Sequence, residues 1–180
     1  MLMLPDLEID DQTLVRRFQA GETQVFDQIV ERHFDPIGRL VARLLGWRGE
    51  VQDVVQETFI VAFEKLSQFE GRSQLRTWLS TIALRTARRS LRMRRFQFWK
   101  GDAEISFEPK CEIESRERAE KVRAAVRALG DSLREVVVLH YLEGESIQST
   151  AEILGLRVNT VEVRLHRARK LLGESLEGQI

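Results

Sequence analysis

Apolar residues recur at helical spacing along almost the whole chain, and only three prolines are available to interrupt it. Hydrophobic side chains three and four positions apart lie on one face of an α-helix. Leu14, Val15 and Phe18 form the first such stripe, and further stripes follow over residues 25–30 and 37–45. The sequence therefore predicts an all-α protein.

The helical pattern falls into two blocks. Longer helices are predicted over residues 50–69 and from Leu75 past Arg95, and shorter ones from about residue 115 to 176. Between the blocks the periodicity is lost around Gly101 and Pro109, which is typical of a linker. We expect two small helical domains, at residues 10–96 and 115–177, joined by a flexible linker over residues 97–114.

The composition excludes several other classes of protein. With 43% hydrophobic and 31% charged residues, the 180-residue chain can bury a core. A single cysteine, Cys111, excludes an internal disulfide and a cysteine zinc cluster. The acidic start of the chain does not resemble a signal peptide, and no apolar run reaches membrane-spanning length. We therefore expect a soluble, cytoplasmic protein without membrane insertion.

Charge is strongly segregated, although the formal net charge is zero. Between residues 71 and 100 every charged residue is basic, the linker is acidic, and the last helix is basic again. A basic helix that is merely solvated normally carries glutamates at i+4 spacing, and none is present here. The pattern favours two separate nucleic-acid contacts on one molecule over a plain solvated face.

Residues 146–172 have the spacing of a helix-turn-helix. Ser146 is placed to cap a short helix, Ala151 allows two helices to cross closely, and Gly155 supplies a turn with positive φ. Val161 and Leu165 begin the inner stripe of the second helix. The outward face of that helix would enter the major groove, which makes DNA binding a better reading than an ordinary helical hairpin. Its candidate DNA-binding residues are Arg157, Asn159, Thr160, Glu162, Val163, His166, Arg167 and Lys170.

Each block carries a set of short motifs. In the first block they are residues 53–59 (DVVQETF), 71–79 (GRSQLRTWL) and 82–83 (IA). In the second block they are residues 134–137 (REVV), 141–144 (YLEG), 151–155 (AEILG), 160–161 (TV) and 164–169 (RLHRAR). In the order and spacing of these motifs, over about residues 12–176, the chain resembles the extracytoplasmic-function (ECF) sigma factors of the sigma-70 family.

The resemblance implies that the helix carrying residues 53–59 docks on the clamp helices of bacterial core RNA polymerase. If Val55 and Phe59 face the core, an isoleucine surrounded by polar groups lies on the opposite face, as in many partner surfaces. Without the resemblance, one exposed isoleucine would need no functional explanation. The expected docking residues are Asp53, Gln56, Glu57 and Ile60.

The resemblance also implies that the basic segment after Gly71 melts the downstream (−10) promoter element and captures its separated strand. Arginines suit the phosphates, and aromatic or apolar walls suit an unstacked base. Trp78 is a candidate for stacking on a base, but a core position is favoured because it shares a face with Ile82. The expected DNA-binding residues are Arg72, Ser73, Arg76, Arg85, Arg88, Arg89 and Arg92.

Several positions depart from the family pattern. Glu162 and Val163 stand where a basic residue and a serine are usual, so recognition of the upstream (−35) element is expected to be altered or weakened. A glutamate repels phosphate but can accept a hydrogen bond from a cytosine amino group. Arg85 replaces a frequent asparagine, and Thr150 replaces an isoleucine and is expected to thin the apolar seam under the turn.

The resemblance implies no catalytic residue, metal or cofactor, and it makes a separate anti-sigma protein an expected partner. The acidic linker would lie along the polymerase RNA path or act as a plain tether, and the sequence leaves both open. Two other functions stay open as well: a stand-alone helix-turn-helix regulator, and a sigma-like polymerase-binding protein with weak promoter selectivity. An enzyme is disfavoured, because the three histidines are far apart and no catalytic motif is present.

Overall fold

A computed structural model describes residues 9–47, 51–97 and 113–177 of the chain. Over those residues the backbone forms α-helices without a strand, which confirms the all-α prediction. The α-helices are α1 (Asp11–Gln19), α2 (Phe26–Leu44), α3 (Val51–Lys65), α4 (Leu75–Gln97), α5 (Ile113–Ala128), α6 (Asp131–Val137), α7 (Ile147–Leu154) and α8 (Val158–Glu177). Short 3-10 turns span Thr23–Val25 and Leu66–Gln68, and a π-helical turn spans Val138–Leu142.

Helices α1 to α4 form the first domain. The Asp10 carboxylate caps α1 by accepting a hydrogen bond from the Thr13 amide at 2.7 Å. The two apolar stripes over residues 25–30 and 37–45 belong mainly to the single helix α2, which continues through Pro36. Helices α2, α3 and α4 pack against one another around fully buried side chains, among them Ile29, Val41, Val55, Leu79 and Leu84.

Helices α5 to α8 form the second domain. Its core is built from the buried valines that end α6 and from the inner stripe of α8, and α6 packs directly on α8. Ser146 caps α7, because its hydroxyl accepts a hydrogen bond from the Ser149 amide at 2.9 Å. Gly155 ends α7 in the left-handed conformation, with φ of 65°, as the helix-turn-helix prediction requires.

The two domains lie in direct contact, a feature that the sequence did not indicate. Helix α7 packs on α4, and α2 contacts the π-helical turn. Buried apolar residues from both domains form one contiguous cluster. Helix α4 ends at Gln97 and α5 begins at Ile113, so the core of the predicted linker, residues 98–112, lies outside the described residues. The domain boundaries at 10–96 and 115–177 stay a prediction.

Candidate functional site

The outward face of α3 carries the residues expected to dock on a partner. Asp53 and Gln56 are exposed, and Ile60 is 54% exposed, although it is apolar. Glu57 is half-buried, and its carboxylate accepts a hydrogen bond from Arg89 at 2.6 Å. The opposite face of α3 is buried as predicted, so the assignment of faces on this helix is confirmed. The binding role of the outward face stays a prediction.

An apolar groove lies beside Ile60, between α2 and α3, and the sequence reasoning missed it. Phe34 and Phe63 are 48% and 44% exposed. Phe63 packs edge-on against the rings of Phe18 and Phe26, with centroids 5.3 and 5.1 Å apart. Aromatic residues in an amphipathic stripe are normally expected in the core, which explains why the pattern alone did not reveal them. The groove extends the apolar part of the predicted docking surface beyond one isoleucine.

The loop before α4 contains the first residues expected to touch DNA. Gly71 has φ of 70°, a conformation that favours glycine. Arg72 is exposed and forms an ion pair with Glu70 at 2.5 Å, while Ser73 is half-buried. Trp78 is half-buried and packs on the Phe69 ring, with centroids 5.2 Å apart. This indole therefore contacts the core cluster, in agreement with the favoured core position.

Two sets of polar contacts that the sequence reasoning missed hold α1 in place, one to the segment before this loop and one to α2. The Gln19 side-chain amide donates to the Phe69 carbonyl at 2.8 Å, and it also lies near the Leu66 and Ser67 carbonyls. Asp11 binds Arg32 at 2.7 Å and His33 at 3.0 Å. Burial lowers the pKa of His33, and the Asp11 carboxylate opposes that shift. His33 lies four positions after Ile29 and four before Ile37, so the helical repeat places it on the same buried face. This spacing could have predicted its inward position.

Only part of the basic face of α4 is free. Arg85 and Arg92 are exposed to solvent. Arg89 is exposed too, but it donates to Glu57 of α3. This pair joins the predicted docking helix to the predicted DNA-binding helix.

The other two arginines expected to bind DNA from α4 are held by the second domain. Both the Nε and an Nη of Arg88 donate to the Glu135 carboxylate, each at 2.7 Å. This bond raises the pKa of Arg88, which burial opposes. Arg76 donates to the Glu143 backbone carbonyl at 3.1 Å. These partners could not be anticipated from local spacing, because Glu135 lies 47 positions from Arg88 and Glu143 lies 67 positions from Arg76 along the chain.

The helix-turn-helix has the predicted inner and outer faces. Ala151 is buried where α7 meets α8, and Val161, Leu165 and Ala168 are buried along α8. On the outer face Thr160 is half-buried, and the other candidate residues are exposed: Arg157, Asn159, Glu162, Val163, His166, Arg167 and Lys170. Contact of this face with DNA stays a prediction, but its accessibility is confirmed.

Both domains match models of known protein families. The model of sigma-70 region 2 matches residues 29–97, and that of sigma-70 region 4 matches residues 119–172. The RNA polymerase sigma-H factor of Pseudomonas aeruginosa is 34% identical, over 93% of this chain and 94% of its own length. The ECF RNA polymerase sigma-E factor of Haemophilus influenzae is 31% identical, over 94% and 97%. The chain belongs to the ECF sigma factors of the sigma-70 family.

A solved structure supports the same placement of this sigma factor. The structure of CnrH in complex with the cytosolic domain of CnrY has a TM-score of 0.71 and 30% identity, and the match covers 94% of this chain and 99% of CnrH. The protein is therefore an alternative sigma factor that directs transcription initiation. Helices α2 to α4 correspond to region 2, and α5 to α8 to region 4.

The replacement of isoleucine by threonine at position 150 has a visible consequence in this sigma factor. Thr150 is fully buried, and its hydroxyl has no hydrogen-bond partner among the residues that the structure describes. A buried hydroxyl without a partner lowers stability, so the effect goes beyond the predicted thinning of the apolar seam.

No helix in the part of the chain that the structure describes has the length and apolar character needed to cross a membrane. Within the same residues, no group of histidine, cysteine or acidic side chains is arranged to hold a metal ion.

Proposed function

We propose that this sigma factor binds bacterial core RNA polymerase through the outward face of α3, and the exposure of Ile60 carries this proposal. An apolar side chain surrounded by Asp53, Gln56 and Glu57 suits a partner surface with an apolar pocket and a cationic rim. The neighbouring groove with Phe34 and Phe63 supplies further apolar area on the same side.

The arginines of α4 and its preceding loop bind the downstream promoter element. Arg72, Arg85 and Arg92 are exposed and suited to phosphate oxygens, which arginine binds through paired donors. Ser73 lies in the same loop as Arg72, and Arg76, Arg88 and Arg89 join them once their present partners are displaced. The separated strand passes along this face as melting begins.

The outer face of α8 reads the upstream promoter element from the major groove. Its leading residues, Asn159 and Thr160, lie at the helix N-terminus. Glu162 and Val163 follow on the accessible face, so the preferred sequence includes a cytosine that donates its amino group to Glu162. His166, Arg167 and Lys170 contact the flanking DNA, together with Arg157 from the turn.

The protein does no chemistry of its own and works in the cytoplasm, where bacterial polymerase and promoter DNA are found. A separate anti-sigma protein holds it inactive until a signal arrives. The relative CnrH, which is solved in complex with the cytosolic domain of CnrY, supports the binding of a separate protein partner.

Reconstituted transcription tests the whole proposal. The purified protein is added to sigma-free bacterial core polymerase with genomic DNA, and start-site-specific transcripts are mapped. Failure to associate stably with core would leave a stand-alone regulator as the better explanation. Association without specific starts would favour a polymerase-binding protein of weak selectivity.

The substitution Ile60→Asp tests the docking surface. We expect core association to be lost while the helical circular dichroism signal is retained, because the side chain is exposed. Val122→Asp is the matched control, since Val122 is an exposed apolar residue of α5 in the second domain, with 43% exposure. Loss of the helical signal in the Ile60 variant, or equal loss of binding in both variants, would contradict the assignment.

A further inference from the structure

The outer face of α8 carries an apolar side chain near its centre. Val163 is 44% exposed, and it lies four positions after Asn159 and four before Arg167, which are both exposed. At about 100° per residue, these three side chains point to the same side of the helix. Val161 and Leu165 are 0% and 3% exposed on the opposite side, so α8 cannot turn to bury Val163 without exposing its inner stripe.

The position of Val163 distinguishes it from an ordinary exposed valine. Single apolar residues are common on protein surfaces and need no functional explanation. Val163, however, lies in the second turn of a helix whose N-terminal part is proposed to enter the major groove. Leu171 is an exposed apolar residue of the same helix, but it lies about 12 Å further along the axis. It is therefore at the end of α8 that leads away from the bases.

The side chain of Val163 is also short enough for a central place in the groove. The major groove is about 12 Å wide, and an α-helix with its side chains is about 10–12 Å across. Because the fit is close, the central side chains of the helix reach the base edges without pushing it outward only if they are short. Valine meets this condition.

The chemistry of valine restricts which base group it can face. Its side chain neither donates nor accepts a hydrogen bond, whereas the base edges in the major groove present donors, acceptors and, at thymine, a C5-methyl group. A donor or acceptor covered by Val163 would lose its water without gaining a partner, which costs free energy. A thymine methyl group would instead leave water for an apolar contact, which is favourable.

Glu162 adds a different preference next to that of Val163. Its carboxylate accepts hydrogen bonds and donates none, and the proposed function pairs it with a cytosine amino group. The two side chains diverge by about 100° around the helix, so they address different bases. Their Cα atoms are only about 3.8 Å apart, and the rise of a base pair is about 3.4 Å. The two bases therefore lie within about two base pairs of each other.

We propose that Val163 reads the C5-methyl group of a thymine in the upstream promoter element, close to the cytosine that binds Glu162. The inference rests on the proposed function and names a base that the same helix selects. Glu162 and Val163 together specify a sequence, and do not merely weaken the contact with DNA.

Removal of single methyl groups from the DNA tests the assignment of Val163. The full-length protein, by itself and with sigma-free core polymerase, first selects duplexes from a library of random sequence. Each thymine of a selected duplex is then replaced singly by deoxyuridine, which lacks only the C5-methyl group, and fluorescence anisotropy measures the affinity. The wild-type protein should bind about fourfold more weakly when one particular thymine is replaced, as expected for the loss of one buried methyl group.

Val163→Ala should bind the thymine and deoxyuridine duplexes equally well, because it lacks the methyl groups that make the contact. Leu171→Ala is the matched control, since it removes an exposed apolar side chain from the same helix, and it should keep the wild-type difference. Combining a protein variant with a DNA variant isolates the one contact, as in a double-mutant cycle. Circular dichroism checks that both variants are folded.

Glu162→Ala tests the neighbouring cytosine. This variant should lose the preference for cytosine at one position of the selected sequence and keep the deoxyuridine effect at the thymine. The cytosine should lie within about two base pairs of that thymine. A cytosine preference that maps to a distant position would contradict the proposal, because adjacent residues of one helix cannot reach both bases.

The proposal is overturned if the wild-type protein selects no sequence under either condition, or if no single deoxyuridine lowers its affinity. It is also overturned if Val163→Ala keeps the wild-type difference, or if Leu171→Ala loses it to the same extent. Failure of the proposed function would be seen separately, as an absence of start-site-specific transcripts in reconstituted transcription, which the affinity measurements do not involve.

Discussion

The two basic helices of this sigma factor differ in how available their charges are. The outer face of α8 is open to solvent along most of its candidate DNA-binding residues. On α4, Arg88 is bound to Glu135 and Arg89 to Glu57. The distribution of basic residues in the sequence therefore indicates where a nucleic acid can be attracted. Which of those arginine and lysine side chains are available to bind it depends on their ion pairs in the folded protein.

The largest effect is expected on transcription, from substitutions that distinguish the proposed role of α4 from that of α8. Replacing Arg85 and Arg92 by alanine should reduce start-site-specific transcripts at least about tenfold, because two phosphate contacts are lost. Permanganate reactivity of the downstream element should fall while the upstream footprint is retained. Replacing His166 and Lys170 should instead weaken the upstream footprint. Arg17→Ala is the control, and a similar loss of both signals in either double variant would refute this division.

A smaller effect is expected from adding positive charge to the freely accessible helix. Glu162→Lys should raise general duplex affinity and steepen the dependence of log affinity on log salt by about 0.9, the value for one additional phosphate contact. Fluorescence anisotropy over a salt series measures both quantities. Glu174→Lys, near the end of the same helix, should change the slope less. An unchanged slope for Glu162→Lys would place residue 162 away from the phosphates.

The smallest effect concerns the helix that packs on α4. Thr150→Val should stabilise the protein by about 1 kcal/mol, because a methyl group of similar size replaces a buried hydroxyl that has no partner in the described part of the chain. Thr58→Val is the matched control: Thr58 is equally buried, but its hydroxyl donates to the Val54 carbonyl at 2.7 Å. This control should be neutral or destabilised. Urea unfolding midpoints measure the difference in stability. Destabilisation by Thr150→Val would indicate that the Thr150 hydroxyl makes a hydrogen bond that the substitution removes.

Most of the fold could be predicted because helical periodicity is a local property. The positions of α1 and α4 followed from apolar spacing, and those of the helix-turn-helix also from the capping Ser146 and from Gly155. The two faces of α3 followed from the same rule, and so did the outward direction of Asn159 and Lys170.

The contact between the domains could not be predicted from the sequence. Arg88 and Glu135 are far apart in the chain, and no periodic signal links a basic residue to one acid among many. Phe34 and Phe63 were missed because their local spacing is misleading. It fits a buried apolar stripe, but both rings are about half exposed.

The amide of Gln19 has a consequence for substitutions that lie far from the proposed DNA contacts. It ties the first helix to the Phe69 carbonyl, just ahead of the loop that leads into α4. Gln19→Ala would therefore release a clamp on that loop, although residue 19 is assigned no contact with DNA. Loss of strand capture in this variant would report altered loop geometry and not a lost base contact.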